Sequence, residues 1–193
     1  MATLDGVTGH FPDAIYRIEQ GIISIGRVFR VYDTDRNLVA YVKHPLLKIK
    51  EQFDIYADEA ETKPLLKAKV RRLIQLNVCF DLTEPESETL LLSVKKRAIR
   101  SIFRDRMEIL DAEGTVIGSV DEVGFALLRR FIKWLPHHWV ITIRGEKVAK
   151  VDQRFTFFRK KIDVDLTGNT GRIDPRAALA AVLTLMHEVE GAG

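Results

Sequence analysis

Two cationic runs carry the clearest chemical signal: Lys67-Ala68-Lys69-Val70-Arg71-Arg72 and Lys95-Lys96-Arg97-Ala98-Ile99-Arg100. Clustered ammonium and guanidinium groups attract phosphate oxygens, and beside an anionic membrane each contributes about 1 kcal/mol. The residues expected to hold an acidic headgroup are therefore Lys67, Lys69, Arg71, Arg72, Lys95, Lys96, Arg97 and Arg100. Arg129-Arg130 and Arg159-Lys160-Lys161 extend the same charge. The competing reading is a solvated face balanced by Asp58 to Glu61 and Glu84 to Glu88, since charged strands also guard against edge-to-edge association.

A second group of residues has the spacing of a calcium loop. From Asp163 to Asp174, oxygen side chains fall at loop positions 1, 3, 5 and 12 (Asp163, Asp165, Thr167, Asp174), with Gly168 at position 6. Asp174 is short for a bidentate ligand and is also wanted as a helix cap, and a strand precedes the loop. Any calcium binding is therefore expected to be weak, on the order of 10⁻⁴–10⁻³ M. A plain strand–loop–helix connection is the alternative. Asp33-x-Asp35-x-Asn37 starts in the same way, but Leu38 and His44 occupy the positions that need glycine and carboxylate, so it reads as a hairpin turn.

Other chemistries find little support. His137 and His138 are adjacent, and neighbours on a strand point to opposite faces; His10, His44 and His187 stand apart. Cys79 has no motif around it and is expected to be a small buried side chain. Trp134 and Trp139 are expected to be core or rim anchors. No Gly-rich phosphate loop, nucleophile elbow or HExxH occurs. The chain is read as a non-enzyme with no certain cofactor.

The elements that must position these residues follow an internal repeat. Ile22-Ile23-x-Ile25-xxx-Phe29 recurs as Leu46-Leu47-x-Ile49-xxx-Phe53 and as Leu73-Ile74-x-Leu76-xxx-Phe80. Each anchor opens an alternating run such as Phe53-Asp54-Ile55-Tyr56, the pattern of a half-buried strand. Turn clusters follow, among them Asp33 to Asn37, Asp58 to Thr62, Glu84 to Glu88 and Asp111 to Gly114. A second strand then completes the unit: Leu38 to Val42, Leu65 to Val70, Leu90 to Val94, Val116 to Val120, Val148 to Val151. The two cationic runs follow the second strands of adjacent units, which would set them side by side. Hairpins of this kind, with flanking strands at Tyr16 to Glu19 and Ile162 to Asp165, make about twelve strands, too many for a flat sheet. A closed barrel also removes exposed edges. Glu122 to Trp134 breaks the pattern as a short helix or an irregular crossover.

The C-terminus changes period. Asp174 suits an N-cap and Pro175 a first helical position. The helix runs from there to about Glu190, apolar around its whole circumference from Ala177 to Met186, so burial on all sides is expected. Its roughly ten apolar residues rise only about 15 Å, half a bilayer core.

Composition agrees with one domain over 1–193. The 193 residues are 46% hydrophobic and 30% charged, which excludes a disordered chain, and the net charge of +3 is too small for a dedicated nucleic-acid binder. A single cysteine fits a cytoplasmic setting. Met1 to Ala14 hold two acids and no Lys or Arg, unlike a signal peptide.

The units Ile22-Ile23-Ser24-Ile25-Gly26-x-x-Phe29-x-Val31-Tyr32-Asp33 and Phe53-Asp54-Ile55-Tyr56 resemble the LURP-one-related proteins. So do Met107-Glu108-Ile109-Leu110-Asp111-Ala112-Glu113-Gly114-x-x-Ile117-Gly118 and the helix from Asp174 to Met186. The resemblance spans about Tyr16 to Glu190. It places the chain with the tubby C-terminal domains and the phospholipid scramblases, and so implies a mainly β, twelve-stranded tubby-like barrel closed around a central hydrophobic helix at 174–190. Scramblases carry a similar acidic segment just before their terminal helix.

A fold does not carry one function with it. The leading expectation is a monomeric, non-catalytic module that recognises anionic phospholipid headgroups, cytoplasmic and peripheral to the inner face of a membrane. The alternative is a regulatory or structural domain that binds another protein. A scramblase-like activity is disfavoured by the short helix, and no nucleic-acid partner is expected because aromatic residues do not interleave the cations.

Overall fold

A computed structural model describes residues 11, 14–23, 26–45, 52–73, 77–96, 106–124, 136–154 and 160–191. Twelve strands alternate with short connections: β1 (Ile15–Ile23), β2 (Gly26–Tyr32), β3 (Leu38–Pro45), β4 (Gln52–Tyr56), β5 (Pro64–Leu73) and β6 (Asn77–Thr83) form the first half. The second half is β7 (Leu90–Lys96), β8 (Arg106–Leu110), β9 (Val116–Glu122), β10 (His138–Ile143), β11 (Glu146–Arg154) and β12 (Lys160–Asp165), followed by the helix α1 (Pro175–Gly191). Every strand pairs antiparallel with its sequence neighbours, and β12 pairs with β1, so the sheet closes into a barrel. The twelve-stranded closed barrel expected from the repeat is what forms.

Alternation dictates which side chains fill it. Met107 and Ile109 on β8, Trp139, Ile141 and Ile143 on β10, and Ile162 and Val164 on β12 are buried, while the residues between them are not. Cross-strand registers keep these rows in step around the wall, for example Phe80 opposite Val94 and Ile18 opposite Ile162. β3 and β4 are the exception, meeting at one described pair, Tyr41 opposite Tyr56. The 57–63 turn clasps that seam from outside: Arg30 on β2 donates two bonds of 2.8 Å to Glu59 and lies over the Tyr41 ring.

The turns at one end repeat a single device. Asp33, Asp58 and Asp111 each accept a bond from the backbone amide four residues on, at 2.7, 2.8 and 2.8 Å. A register shift accompanies each turn, leaving one extra residue on the strand that follows it: Val39, Leu65 and Ile117. The third residue after each aspartate, Arg36, Glu61 or Gly114, takes a positive φ. Asp33 to Asn37 is thus the hairpin turn that its failed calcium spacing implied.

α1 fills the lumen. Its side chains from Arg176 to Met186 are all buried, with Ala178, Ala180, Ala181 and Val182 at 0% exposure. The alanines matter because a helix of larger side chains would exceed the space inside the wall. Asp174 caps it, accepting the Arg176 amide at 2.9 Å, while its own carbonyl accepts the Ala178 amide. The apolar circumference is therefore satisfied by barrel side chains, and no helix among the described residues is long and apolar enough to cross a membrane. Of the Glu122 to Trp134 break, Glu122 ends β9, and residues 125–135 lie outside the described residues.

Candidate functional site

The first cationic run does not follow a strand, as its sequence position suggested; it lies inside one. β5 continues through it to Leu73, because its apolar positions Leu66 and Ala68 turn inward while Lys67, Lys69 and Arg71 project from the outer face. Long cationic side chains tolerate this, keeping their heads in water above a packed stem. Arg72 pairs with Val78 in the β5–β6 register, its side chain outside the described part. Of the second run, Lys95 and Lys96 end β7, and Arg97 and Arg100 lie outside the described residues.

β6 separates the two runs and joins them. Arg71, Cys79 and Lys95 are consecutive register partners across β5, β6 and β7, so the two runs meet as one outward row. The row below holds Lys69, Asp81 and Ser93. Asp81 anchors the face: Ser93 donates to it at 2.6 Å and Arg71 lies 3.3 Å away. Arg71 also donates to the Cys79 sulfur, a bond that, with Asp81 beside it, raises its pKa further. Burial pushes the Cys79 thiol up, against the opposing pull of Arg71, so the thiol stays protonated. Cys79 is 1% exposed, the small buried side chain that was expected. Lys67, Lys69 and Lys95 have no ion-pair partner among the described residues, although Asp54 and Glu108 stand opposite Lys67 and Lys95 in register.

The acids expected to balance these cations are at the other end of the barrel. Because every unit is a hairpin, its internal turn falls at the end where α1 enters. Those turns hold Asp33 and Asp35, Asp58, Glu59 and Glu61, Glu84, Glu86 and Glu88, and Asp111 and Glu113, against Arg36, Lys63 and Arg144. At the opposite end β5 and β7 finish on their cations, and Arg106 and Lys160-Lys161 begin β8 and β12. Acids at that end are matched locally: Asp121 by Arg106 at 3.2 Å, Glu19 by Lys161 at 3.1 Å. Among the described residues charge is thus segregated along the barrel axis, with the cationic excess concentrated on β5 to β7.

In the Asp163-to-Asp174 loop the carboxylates with calcium-loop spacing turn to separate partners. Asp163 lies on the outer face of β12 between Arg17, at 2.9 Å, and Arg154. Asp165 folds onto the Thr167 amide and hydroxyl at 2.9 and 2.6 Å, which lowers its pKa. Asp174 caps α1 and grips Arg176 at 2.6 Å. Their oxygens face different partners, and among the described residues no group of three His, Cys, Asp or Glu side chains is placed to hold a metal. Gly168 has another reason to be glycine: a Cβ there would stand 2.5 Å from the Lys147 carbonyl oxygen.

Trp139 is a core residue, 2% exposed, with His137 stacked on it at 4.9 Å. His137 meets Glu122 at 3.0 Å and His138 meets Asp152 at 2.6 Å, so the adjacent histidines do serve separate partners. The side chains of His10, His44 and His187, together with Trp134, Arg129, Arg130 and Arg159, lie outside the described residues. Sequence reading missed Arg176, the buried cation at the start of α1. A lone charge within an apolar helix is itself a signal, because a buried guanidinium requires acidic partners.

The family model described as LURP-one-related matches residues 76–178, which run from the start of β6 into α1. A crystal structure of a protein from Arabidopsis thaliana is similar at 14% sequence identity and a TM-score of 0.48, over 90% of this chain and 91% of that one. No curated protein matches the chain.

Proposed function

The chain belongs to the LURP-one-related family, and from that premise we propose that it is a non-catalytic binding module whose β5–β7 face meets anionic phospholipid headgroups at the cytoplasmic surface of a membrane. The observation that carries this reading is the outward row of Arg71 and Lys95 at the end of the wall away from the acidic turns, with Lys69 and Lys67 continuing the same face along β5. Three of these four cations lack an ion-pair partner among the described residues, so their charge is available to phosphate. Asp81 and Cys79 hold the Arg71 Nη2, which fixes the guanidinium on this face and leaves its remaining donors for a phosphate. Binding rather than catalysis is supported by the same face: the Cys79 thiol is buried and protonated, and the Ser93 hydroxyl is spent on Asp81.

The test is flotation with phosphatidylcholine vesicles carrying phosphatidylserine, over a salt series. At low salt the protein should float with the vesicles and should release as ionic strength shortens the screening length to about 8 Å. Replacing Lys67, Lys69, Arg71 and Lys95 together with Gln should weaken binding at least tenfold, given about 1 kcal/mol per cation. A parent protein that ignores anionic vesicles at low salt, or a variant that floats equally well, overturns the reading.

A further inference from the structure

A groove of about 650 Å³ runs along the barrel wall over β11, β12, β1 and β2, away from the β5–β7 face. It follows β1 from Ile15 to Glu19, a length of about 13 Å at roughly 3.3 Å per residue. Its size falls within the roughly 300–1,000 Å³ of ordinary ligand sites.

The charges lining it are unevenly matched. Arg17 and Arg154 both converge on Asp163, and Glu19 is held by Lys161 at 3.1 Å. Three carboxylates remain with no guanidinium or ammonium in ion-pair contact among the described residues. Asp33 accepts from the Asn37 amide and side chain, and Asp165 from Thr167, all neutral donors. Lys150, the register neighbour of Asp165, attracts its carboxylate from beyond ion-pair distance, more weakly than Thr167 does. Asp152 meets only the His138 imidazole, and its side chain is 56% exposed. Against these three stand Arg36, exposed on the rim, and the one positive charge left over where Arg17 and Arg154 share Asp163, so that five carboxylates face three guanidiniums in the lining. The groove is therefore acidic on a chain whose net charge is +3. It also has an apolar element: Ile15, one of the few large exposed hydrophobics, is 47% exposed near Tyr32.

We propose that this groove docks an extended, basic segment of a partner protein. The length suits about four residues of extended chain, with Lys or Arg side chains meeting Asp33, Asp152 and Asp165 and an apolar side chain resting on Ile15 and Tyr32. The chain's own first fourteen residues do not complement it, since they hold two acids and no Lys or Arg. Docking here leaves the β5–β7 face free, so the barrel could hold a protein and a charged surface together.

Fluorescence anisotropy with a labelled, end-blocked peptide Lys-Val-Lys-Leu-Arg-Val tests this on the full chain at low salt, with Glu-Val-Glu-Leu-Glu-Val as its counterpart. The basic peptide should bind and the acidic one should not. Asp152→Lys should weaken binding about tenfold, and Arg36→Gln, which removes the opposing charge, should tighten it about threefold. Glu86→Lys with Glu88→Lys, on a distant acidic turn, should change nothing. The β5–β7 variant with four Gln residues should keep peptide binding, so failure of the lipid reading and failure of this one are separable. No binding up to about 1 mM, equal binding of both peptides, or indifference to Asp152→Lys overturns the proposal.

Discussion

Arg176, in the first turn of the lumen helix, donates from Nη2 to Glu84 Oε1 at 2.7 Å, tying the helix to the connection between β6 and β7. The same nitrogen reaches Asp174 Oδ2 at 2.6 Å, so one guanidinium with a side chain 6% exposed is held by two carboxylates. Burial works against its charge, yet Asp174 and Glu84 together keep its pKa above the ordinary arginine value. The pair locks the helix at the end where it enters.

Removing either partner should therefore be costly. Arg176→Ala should destabilise by about 3–5 kcal/mol, the range for breaking a buried pair, and Glu84→Gln by less because Asp174 remains. Urea denaturation measures both. The exposed change Glu86→Gln, two residues away, should stay within about 0.5 kcal/mol.

Deleting 174–193 should abolish folding rather than trim a tail. The loss removes Leu179, Leu183 and Leu185 from the lumen, each worth about 1.5–3 kcal/mol, and exposes the barrel's inner wall to water. A truncated chain that remains soluble and unfolds cooperatively by circular dichroism contradicts a helix-filled barrel.

Glycine positions should respond in opposite senses. Gly118 on β9 faces the Thr142 carbonyl so closely that a Cβ would collide with backbone, and Gly118→Ala should lower stability by at least about 1–3 kcal/mol through strain. Glu88 holds a φ of 53°, the left-handed region. Glu88→Gly should stabilise by about 0.5–1 kcal/mol, the steric relief exceeding the entropy cost of glycine. Thermal melts read both.

Calcium should leave the melting temperature unchanged up to about 10 mM, ten times the weaker end of the expected affinity range, because Asp163 and Asp174 are spent on arginines. A saturable rise that vanishes in Asp163→Asn with Asp165→Asn would restore the loop as a metal site.

Asp165 also predicts a pH effect. Its folded pKa lies below the ordinary 3.8 because the charged form accepts the Thr167 hydroxyl and amide. Its contribution is thus present above pH 3.8 and is lost as pH falls from there through the lower folded value. Asp165→Asn should flatten that part of the stability curve while barely changing its shape near neutrality.

The repeat, the alternation of Phe53-Asp54-Ile55-Tyr56 and the apolar girdle of Ala177 to Met186 were enough to specify a closed barrel with a helix inside. Each rests on a local rule: period two buries one face of a strand, and a helix apolar on every side must be enclosed. The cations Lys67 to Arg72 and Lys95 to Lys96 were equally visible. What they do with their charge was not. Register decided that Arg71 and Lys95 flank Cys79, and the hairpin topology decided that Glu84 to Glu88 turn at the opposite end. The spacing of Asp163, Asp165, Thr167 and Asp174 imitates a calcium loop because spacing records only sequence separation. Arg17, on β1, reaches Asp163 only after the barrel closes, whereas Asp174 is claimed locally by the first helical turn, where Arg176 lies two residues on. Pairings between side chains far apart in sequence are made by tertiary structure alone, and here they determine which charges remain for a partner.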